Sequence, residues 1–297
     1  MSIKNSLPYR AVRYGFRLPG LLYTRFITQP LVDRWLKDSS LTLYVHDNDR
    51  GLLRPLTKAE RLKWTMKEGL ACDAVYWLDR VEPLLKKQDV VFDVGANIGT
   101  VANWFAERCK EVHAFEPHPD NLNTIRQQNA LRRTENVILC PLALGKEETT
   151  MQLHVKGFHG HHSLGDAANS PTVEKIDVKV RTLDSYCSEK GIQNIAFLKI
   201  DVEGFEEDVL LGANSLLKSQ NIGLILFEIR EKILTSVGRK GSAVFAPLLD
   251  NGYKIVSLEG HALSDEELSN PIDGDYLAAI DVEKVLENLG ESKLSFI

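Results

Sequence analysis

The chain is poor in several things that would narrow its class at once. Among 297 residues there are four cysteines, Cys72, Cys109, Cys140 and Cys187, far apart and without metal-ligand spacing. That excludes a disulfide scaffold and a Cys-based zinc module, and implies buried thiols in a reducing, cytoplasmic setting. No apolar run approaches the roughly 20 residues a membrane span needs. The N-terminal stretch has only a broken apolar segment and no small-residue cleavage site, so a secretory signal is not expected. Excess positive charge is also missing: the net charge is −5, which argues against a general nucleic-acid partner. No internal repeat or low-complexity tract is visible. Apolar content of 43% and charged content of 26% remain, those of an ordinary soluble globular protein.

From residue 90 onward β-rich runs alternate with helical patterns. Strands are expected at Val90–Val94, Val112–Phe115, Val137–Leu144, Ala196–Ile200, Leu224–Ile229, Tyr253–Leu258 and Tyr276–Ile280. Helices are expected at Thr100–Arg108, Pro119–Leu131, Glu206–Lys218 and Ser242–Asn251. Such alternation implies an α/β fold with a mainly parallel sheet and helices on both faces, its ligands beyond the carboxyl ends of the strands. Thr149–Val155 and Val178–Val180 read as short strands flanking a long loop, Lys156–Asp177, of the lid or binding-loop kind. Ala59–Lys87 reads as one or two helices, with Trp64, Leu70, Val75, Leu78, Val81 and Leu85 on related faces, and is assigned to the main domain. The domain division is then residues 1–58, an appended helical or irregular segment with a short helix at Leu31–Leu36, and 59–297.

The chemistry concentrates at strand ends. The run from Asp89 to Gly99 reads DVVFDVGANIG: an apolar strand, Asp93, and a turn of small residues, Gly95, Asn97 and Gly99, opening a helix. Such a turn lets a ligand approach the main chain. A dinucleotide fingerprint requires a third glycine where Thr100 or Val101 stands, and a Walker loop requires Gly-Lys-Ser/Thr, which is absent. Asp93 would repel a pyrophosphate and suit a ligand with a positive amino group. The next apolar run ends in Glu116-Pro117, and an acid there can accept hydrogen bonds from a ribose diol. Ammonium, carboxylate and ribose together describe S-adenosyl-L-methionine. Leu142 and Ala143, in the segment Cys140–Gly145, would suit an adenine face, and equally a plain strand terminus. Further on, Asp201 and Glu203 leave a strand at alternate positions and face the same side. Glu228, ending the next strand, is expected to join them, while Glu206, Glu207 and Asp208 read as helix stabilisers.

DVGANIG, Glu116-Pro117 and Leu198–Glu206 (LKIDVEGFE), in that order, resemble the FkbM-type S-adenosylmethionine-dependent methyltransferases, over roughly residues 81–285. Ser163-Leu164 in the long loop also resembles that family's pattern. The resemblance implies a class I methyltransferase fold, Rossmann-like with a seven-stranded sheet. It also implies O-methylation of a hydroxyl on a sugar, glycan or natural product. The acceptor's proton would pass to Asp201, Glu203, Glu228 or one of His159, His161 and His162. A divalent metal at Asp201 and Glu203, or at the histidines, is possible chemistry but not expected. The alternatives are an NAD(P)-dependent oxidoreductase on a similar sheet and a cofactor-binding partner without catalysis. Residues 1–37 carry Lys4, Arg10, Arg13, Arg17, Arg25, Arg34 and Lys37 against Asp33 alone, interleaved with aromatics. They suit peripheral contact with an anionic membrane or glycan, or packing on the chain itself. The oligomeric state is left open.

Overall fold

Short runs of β-branched and aromatic residues, each closed by an acid, a glycine or a proline, build the sheet that positions everything else. The computed structural model describes residues 44–47, 52–55, 78, 80–156, 162–165, 171–258 and 260–291. The chain divides into two compact units, Met1–Pro83 with Glu291–Ile297, and Leu84–Gly290. In the first, β1 (Tyr44–Asp47) pairs antiparallel with β2 (Leu52–Pro55). The expected helix at Leu31–Leu36, the basic stretch 1–37 and most of the stretch 59–87 lie outside the described residues. The described end of that last stretch contains a 3-10 turn, Glu82–Leu84.

The second unit opens with β3 (Val90–Val94), α1 (Thr100–Ala106), β4 (Glu111–Phe115), α2 (Pro119–Arg132) and β5 (Val137–Cys140). An inserted group follows: β6 (Ala143–Leu144), β7 (Thr149–Lys156) and β8 (Thr172–Arg181). Then come α3 (Leu183–Lys190), β9 (Ile195–Ile200), α4 (Glu206–Leu211), α5 (Asn214–Lys218), β10 (Ile222–Ile229), α6 (Glu231–Ser236) and α7 (Gly241–Leu249). The unit closes with β11 (Lys254–Ser257), α8 (Asp265–Ser269), β12 (Gly274–Ala279) and α9 (Val282–Glu291). The main sheet has seven strands in the order β11-β12-β10-β9-β3-β4-β5. Pairing is parallel from β10 through β5 and antiparallel at β12 with both its neighbours. This is the expected mainly parallel sheet flanked by helices. Strand order reverses at β3: β4 lies on one side, β9 on the other. That switch point opens a crevice at the carboxyl ends of β3 and β9.

Two expected elements are each split. Val137–Leu144 breaks at Pro141, which lacks a donor for a ladder. Its first half joins the main sheet, and its second pairs with β8 in a separate three-stranded sheet, β6-β8-β7. Glu206–Lys218 breaks at Gly212, where an added Cβ would stand 2.1 Å from the Gly145 carbonyl oxygen. The second half is then capped from a distance, since Asp184 accepts hydrogen bonds from the Ser215 and Leu216 amides at 2.7 and 3.1 Å. Strand β8 is longer than expected, running Thr172–Arg181 in antiparallel register with β7. Helices α3, α6, α8 and α9 were not expected. Two of them carry local signals: Thr182 caps α3 through its hydroxyl, and Ser264 with Glu267 forms a capping box on α8.

The core runs along the sheet. Phe92, fully buried, meets His113 at 4.6 Å, Phe115 at 5.4 Å and Tyr186 at 6.0 Å between ring centroids. Polar groups here are paired. The Tyr186 hydroxyl bridges His113 Nδ1 (2.7 Å) and Cys140 Sγ (3.1 Å), and His113 Nε2 reaches Glu111 at 2.8 Å. Cys109, Cys140 and Cys187 are free and buried, their thiols pushed up to about 11, 11 and 12 by burial. Phe92→Ala should cost about 3–5 kcal/mol of unfolding free energy by removing this ring from a closed cluster. Urea titration followed by circular dichroism checks it, and a loss below about 1 kcal/mol would contradict the packing.

Candidate functional site

The turn after β3 is locked by groups from both neighbouring strands. Gly95, Asn97 and Gly99 all adopt left-handed backbone, with φ of 78°, 51° and 82°. The amides of Gly95 and Ala96 both donate to the Phe115 carbonyl at 3.0 Å, tying the turn to the end of β4. Side chains from the next two helices hold its far end. Asn103 Nδ2 donates to the Gly99 carbonyl at 2.9 Å, and Gln128 Nε2 to that of Ile98 at 2.5 Å. An added Cβ at Gly95 would stand 1.9 Å from the Asp201 carbonyl oxygen, so the main chain after β3 touches that after β9.

Glu116 is 5% exposed and spans two loops: Oε2 accepts from the Asn97 amide and Oε1 from the His118 amide, both at 2.8 Å. Burial pushes its carboxyl up to about 7 although both amides pull it down. On the other side, Asp93 lies under the turn with 0% exposure, and its cross-strand neighbour in register is Lys199 of β9. Lys199 Nζ stands 3.0 Å from Asp93, 2.9 Å from the Gly95 carbonyl and 3.4 Å from Asp201. Burial pulls the ammonium down, but Asp93 and Asp201 outweigh it and hold Lys199 above its ordinary value. Burial likewise pushes Asp93 up while Lys199 draws it back. We take the pair as ionised, because a neutral Asp93 would leave the buried ammonium with Asp201 alone.

The segment Asp201–Glu206 is shaped by its own acid. Glu206, 3% exposed, turns back so that Oε1 accepts from the Val202 and Gly204 amides at 3.2 and 3.1 Å. Burial pushes it up to about 7. Glu203 sits in left-handed backbone with φ of 54°, rare outside glycine and asparagine. The Ser163 hydroxyl donates to its carbonyl at 2.8 Å, which ties the inserted sheet to this loop. Burial, followed by the charges of Asp201 and Glu206, pushes the Glu203 carboxyl up to about 8.

These parts enclose one pocket. Its polar side has Gly95, Asn97, Glu116, Asn121, Asp201 and Glu203, and its apolar side has Pro117, Leu142, Ala143, Leu144, Leu153 and Leu164. His162 also lines it, its ring tilted against that of His118 with centroids 4.6 Å apart. Nine of the candidate site residues named from the sequence therefore meet here: Gly95, Asn97, Glu116, Pro117, Leu142, Ala143, His162, Asp201 and Glu203. Three do not line it. Asp93 is sealed beneath the turn against Lys199, and Gly99 packs on Ile125. Glu228 is held by Arg230 at 2.5 Å, with burial, Asp201 and Asp275 raising its carboxyl. Sequence reasoning missed Asn121, whose amide reaches Asn97 at 3.2 Å, and Leu153, because helix and insert contacts leave no local mark. It also passed over Lys199, although a lysine inside an apolar strand signals a buried partner. His159 and His161 lie outside the described residues. Among the described residues no group of three or more His, Cys, Asp or Glu side chains is placed to hold a metal ion. None of the described helices is long and apolar enough to cross a membrane.

Residues 93–255 match the model of the methyltransferase FkbM domain. Relatives include the 2-O-methyltransferase NoeI of Sinorhizobium fredii, 26% identical over 153 residues, covering 46% of this chain and 63% of that protein. The hexuronic acid methyltransferase AglP of Haloferax volcanii is 28% identical over 144 residues, covering 47% and 56% respectively. The 31-O-demethyl-FK506 methyltransferase FkbM of Streptomyces tacrolimicus is 32% identical over 158 residues, covering 43% and 60%. The chain thus spans less than two thirds of the length of each of these relatives.

Three carboxyls raised from 4.5 to about 7 or 8 make the fold pH-sensitive in a defined direction. The native state holds their protons more tightly than the unfolded chain. Their contribution to stability is therefore full below about pH 4.5 and is lost as pH rises through 7 to 8. The urea midpoint should fall between pH 6.5 and 8.5, a window above the range where buried His113 reverses the trend. Glu203→Gln should flatten that slope, and equal slopes in variant and parent would contradict the burial of Glu203.

Proposed function

The chain belongs to the FkbM methyltransferase family, and we propose that it methylates a hydroxyl of a sugar or natural-product acceptor with S-adenosylmethionine as donor. The observation that carries this reading is Glu116. It is a buried carboxylate at the end of β4, hydrogen-bonded to the Gly-rich turn and facing a pocket with an apolar wall. Each oxygen accepts one backbone amide and the Asn121 side chain also reaches the carboxyl, which with about four lone-pair sites still leaves room for a ribose diol. Leu142, Leu144, Leu153 and Leu164 suit the flat face of an adenine. The turn backbone and Asp201 suit an amino-acid tail, Asp201 by its negative charge. A relative named as a 2-O-methyltransferase and another named for hexuronic acid support the oxygen and sugar parts of the reading.

When bound, S-adenosylmethionine supplies a methyl group on a positively charged sulfur. The chain's own task is to align the acceptor and take its proton. Rigid alignment is worth roughly 7–11 kcal/mol of barrier when the partners are held in near-attack geometry. The locked turn and the Ser163 tether provide such rigidity at the pocket wall. For the proton, Glu203 is the best-placed base, since it lines the pocket. Its carboxyl, raised to about 8, is a stronger base than an ordinary carboxylate once ionised, so turnover should rise with pH through about 8. One of its oxygens has no hydrogen-bond partner among the described residues.

Calorimetry with S-adenosylhomocysteine and with NAD tests the donor. The first should bind and the second should not; the reverse would overturn the reading. Glu116→Gln should weaken S-adenosylhomocysteine about 10- to 100-fold, the worth of roughly 1.5–3 kcal/mol for hydrogen bonds to a charged group. It should also remove the tightening of binding expected as pH rises through about 7. Glu203→Gln should bind the donor normally and lose at least about 100-fold in turnover on sugar hydroxyl acceptors, the scale of general-base catalysis.

A further inference from the structure

Lys199 is a lysine in the middle of an apolar strand, 4% exposed, and it does not itself line the pocket. An ammonium has three N–H donors and no acceptor. Here three acceptors surround it: Asp93 at 3.0 Å, the Gly95 carbonyl at 2.9 Å and Asp201 at 3.4 Å. The set is asymmetric. Asp93 is sealed, whereas the Asp201 side chain is 43% exposed and lines the pocket. Two carboxylates and one ammonium leave one net negative charge, and only Asp201 presents it outward. The carbonyl of Gly95 and the carboxylate of Asp201 belong to the two loops that meet at the strand-order reversal. Their main chains already touch, with the Asp201 carbonyl filling the space of a Gly95 Cβ.

We infer that Lys199 is a positioning residue for the cofactor's amino-acid tail. From beneath the turn it fixes the Gly95 carbonyl and one oxygen of Asp201, which keeps a negatively charged, pre-shaped end of the pocket aimed at an ammonium. Asp93 serves as its counter-ion and meets no ligand. The inference rests on the donor reading above, and it adds a residue that acts through its neighbours. The same placement gives the tail end and the nucleoside end separate supports. Lys199 and Asp93 hold the first, Glu116 the second.

The test separates these ends with two ligands, S-adenosylhomocysteine and 5′-methylthioadenosine, which has the same nucleoside but no amino-acid tail. The double variant Asp93→Asn/Lys199→Met removes both buried charges together and so avoids an unpaired one. It should bind S-adenosylhomocysteine at least tenfold more weakly than the parent while 5′-methylthioadenosine changes less than about twofold. Asp201→Asn, at an exposed side chain, should show the same split if the double variant does not fold. Equal loss of both ligands would assign Lys199 a structural role only, and unchanged S-adenosylhomocysteine binding would overturn the inference outright. If the parent binds neither ligand, the donor reading itself fails, an outcome distinct from both.

Discussion

The ion pair between Asp93 and Lys199 is the constraint on which the pocket depends. It joins β3 to β9 across the point where the strand order reverses, under the turn that opens α1. Removing one partner of such a buried pair typically costs about 3–5 kcal/mol, because the other charge is left unpaired. A pair of apolar residues would fill the same space at less risk, yet it could not grip the Gly95 carbonyl or Asp201. Two strands of one parallel sheet thereby become the fixed floor of a crevice. The loops above it inherit their geometry from charges that never meet solvent.

Around that floor, acids are buried in places where the backbone offers amides to receive them. Glu116 takes two amides from two different loops, and Glu206 takes two from the loop that precedes its own helix. In both, desolvation outweighs the amides and the carboxyl rises to about 7. Glu203 is different. No backbone amide is among the causes of its shift, its backbone is left-handed, and its carboxyl rises furthest of the three, to about 8. Strain and desolvation at one residue are tolerated only where the surroundings over-determine it, and such positions cluster at functional sites. Here the surroundings are Glu206 from behind and the Ser163 hydroxyl from the inserted sheet.

Most of the main sheet was legible because its strands are short, apolar and closed by turn chemistry. Glu116, Gly95, Asn97, Asp201 and Glu203 were legible for a related reason: ligands of open α/β sheets lie at strand ends, and these residues stand there. What sequence could not show were tertiary substitutions for local signals. Asp184 caps α5 across a gap of thirty-odd residues, so Glu206–Lys218 looked like one helix. Asp93 looked like a ligand because it adjoins the turn, but pairing in register with Lys199 turns it inward. Lys199 held the missing clue. A charge set within FLKI and another within VVFDV are each improbable alone and complementary together. Reading the two runs as neighbours would have joined them.

The inserted sheet, by contrast, left only fragments in the sequence, yet it completes the wall. Leu153 comes from β7, and His162 and Leu164 come from the segment that returns along it through the pairing of His154 with Ser163. Ser163 is 1% exposed, and its one free hydroxyl is spent on the carbonyl of Glu203. The pocket therefore has two origins. Its floor and the side lined by Glu116 are set by the carboxyl ends of β3, β4 and β9, which the sheet register holds rigidly. Its cover is set by an insertion whose only polar link to the β9 loop, among the hydrogen bonds described, is one hydroxyl. A change of length or sequence in the insertion can reshape the cover and shift Glu203 without touching Asp93, Lys199 or Glu116. That separation explains why the strand-end residues were readable from sequence while the wall supplied by the insertion was not.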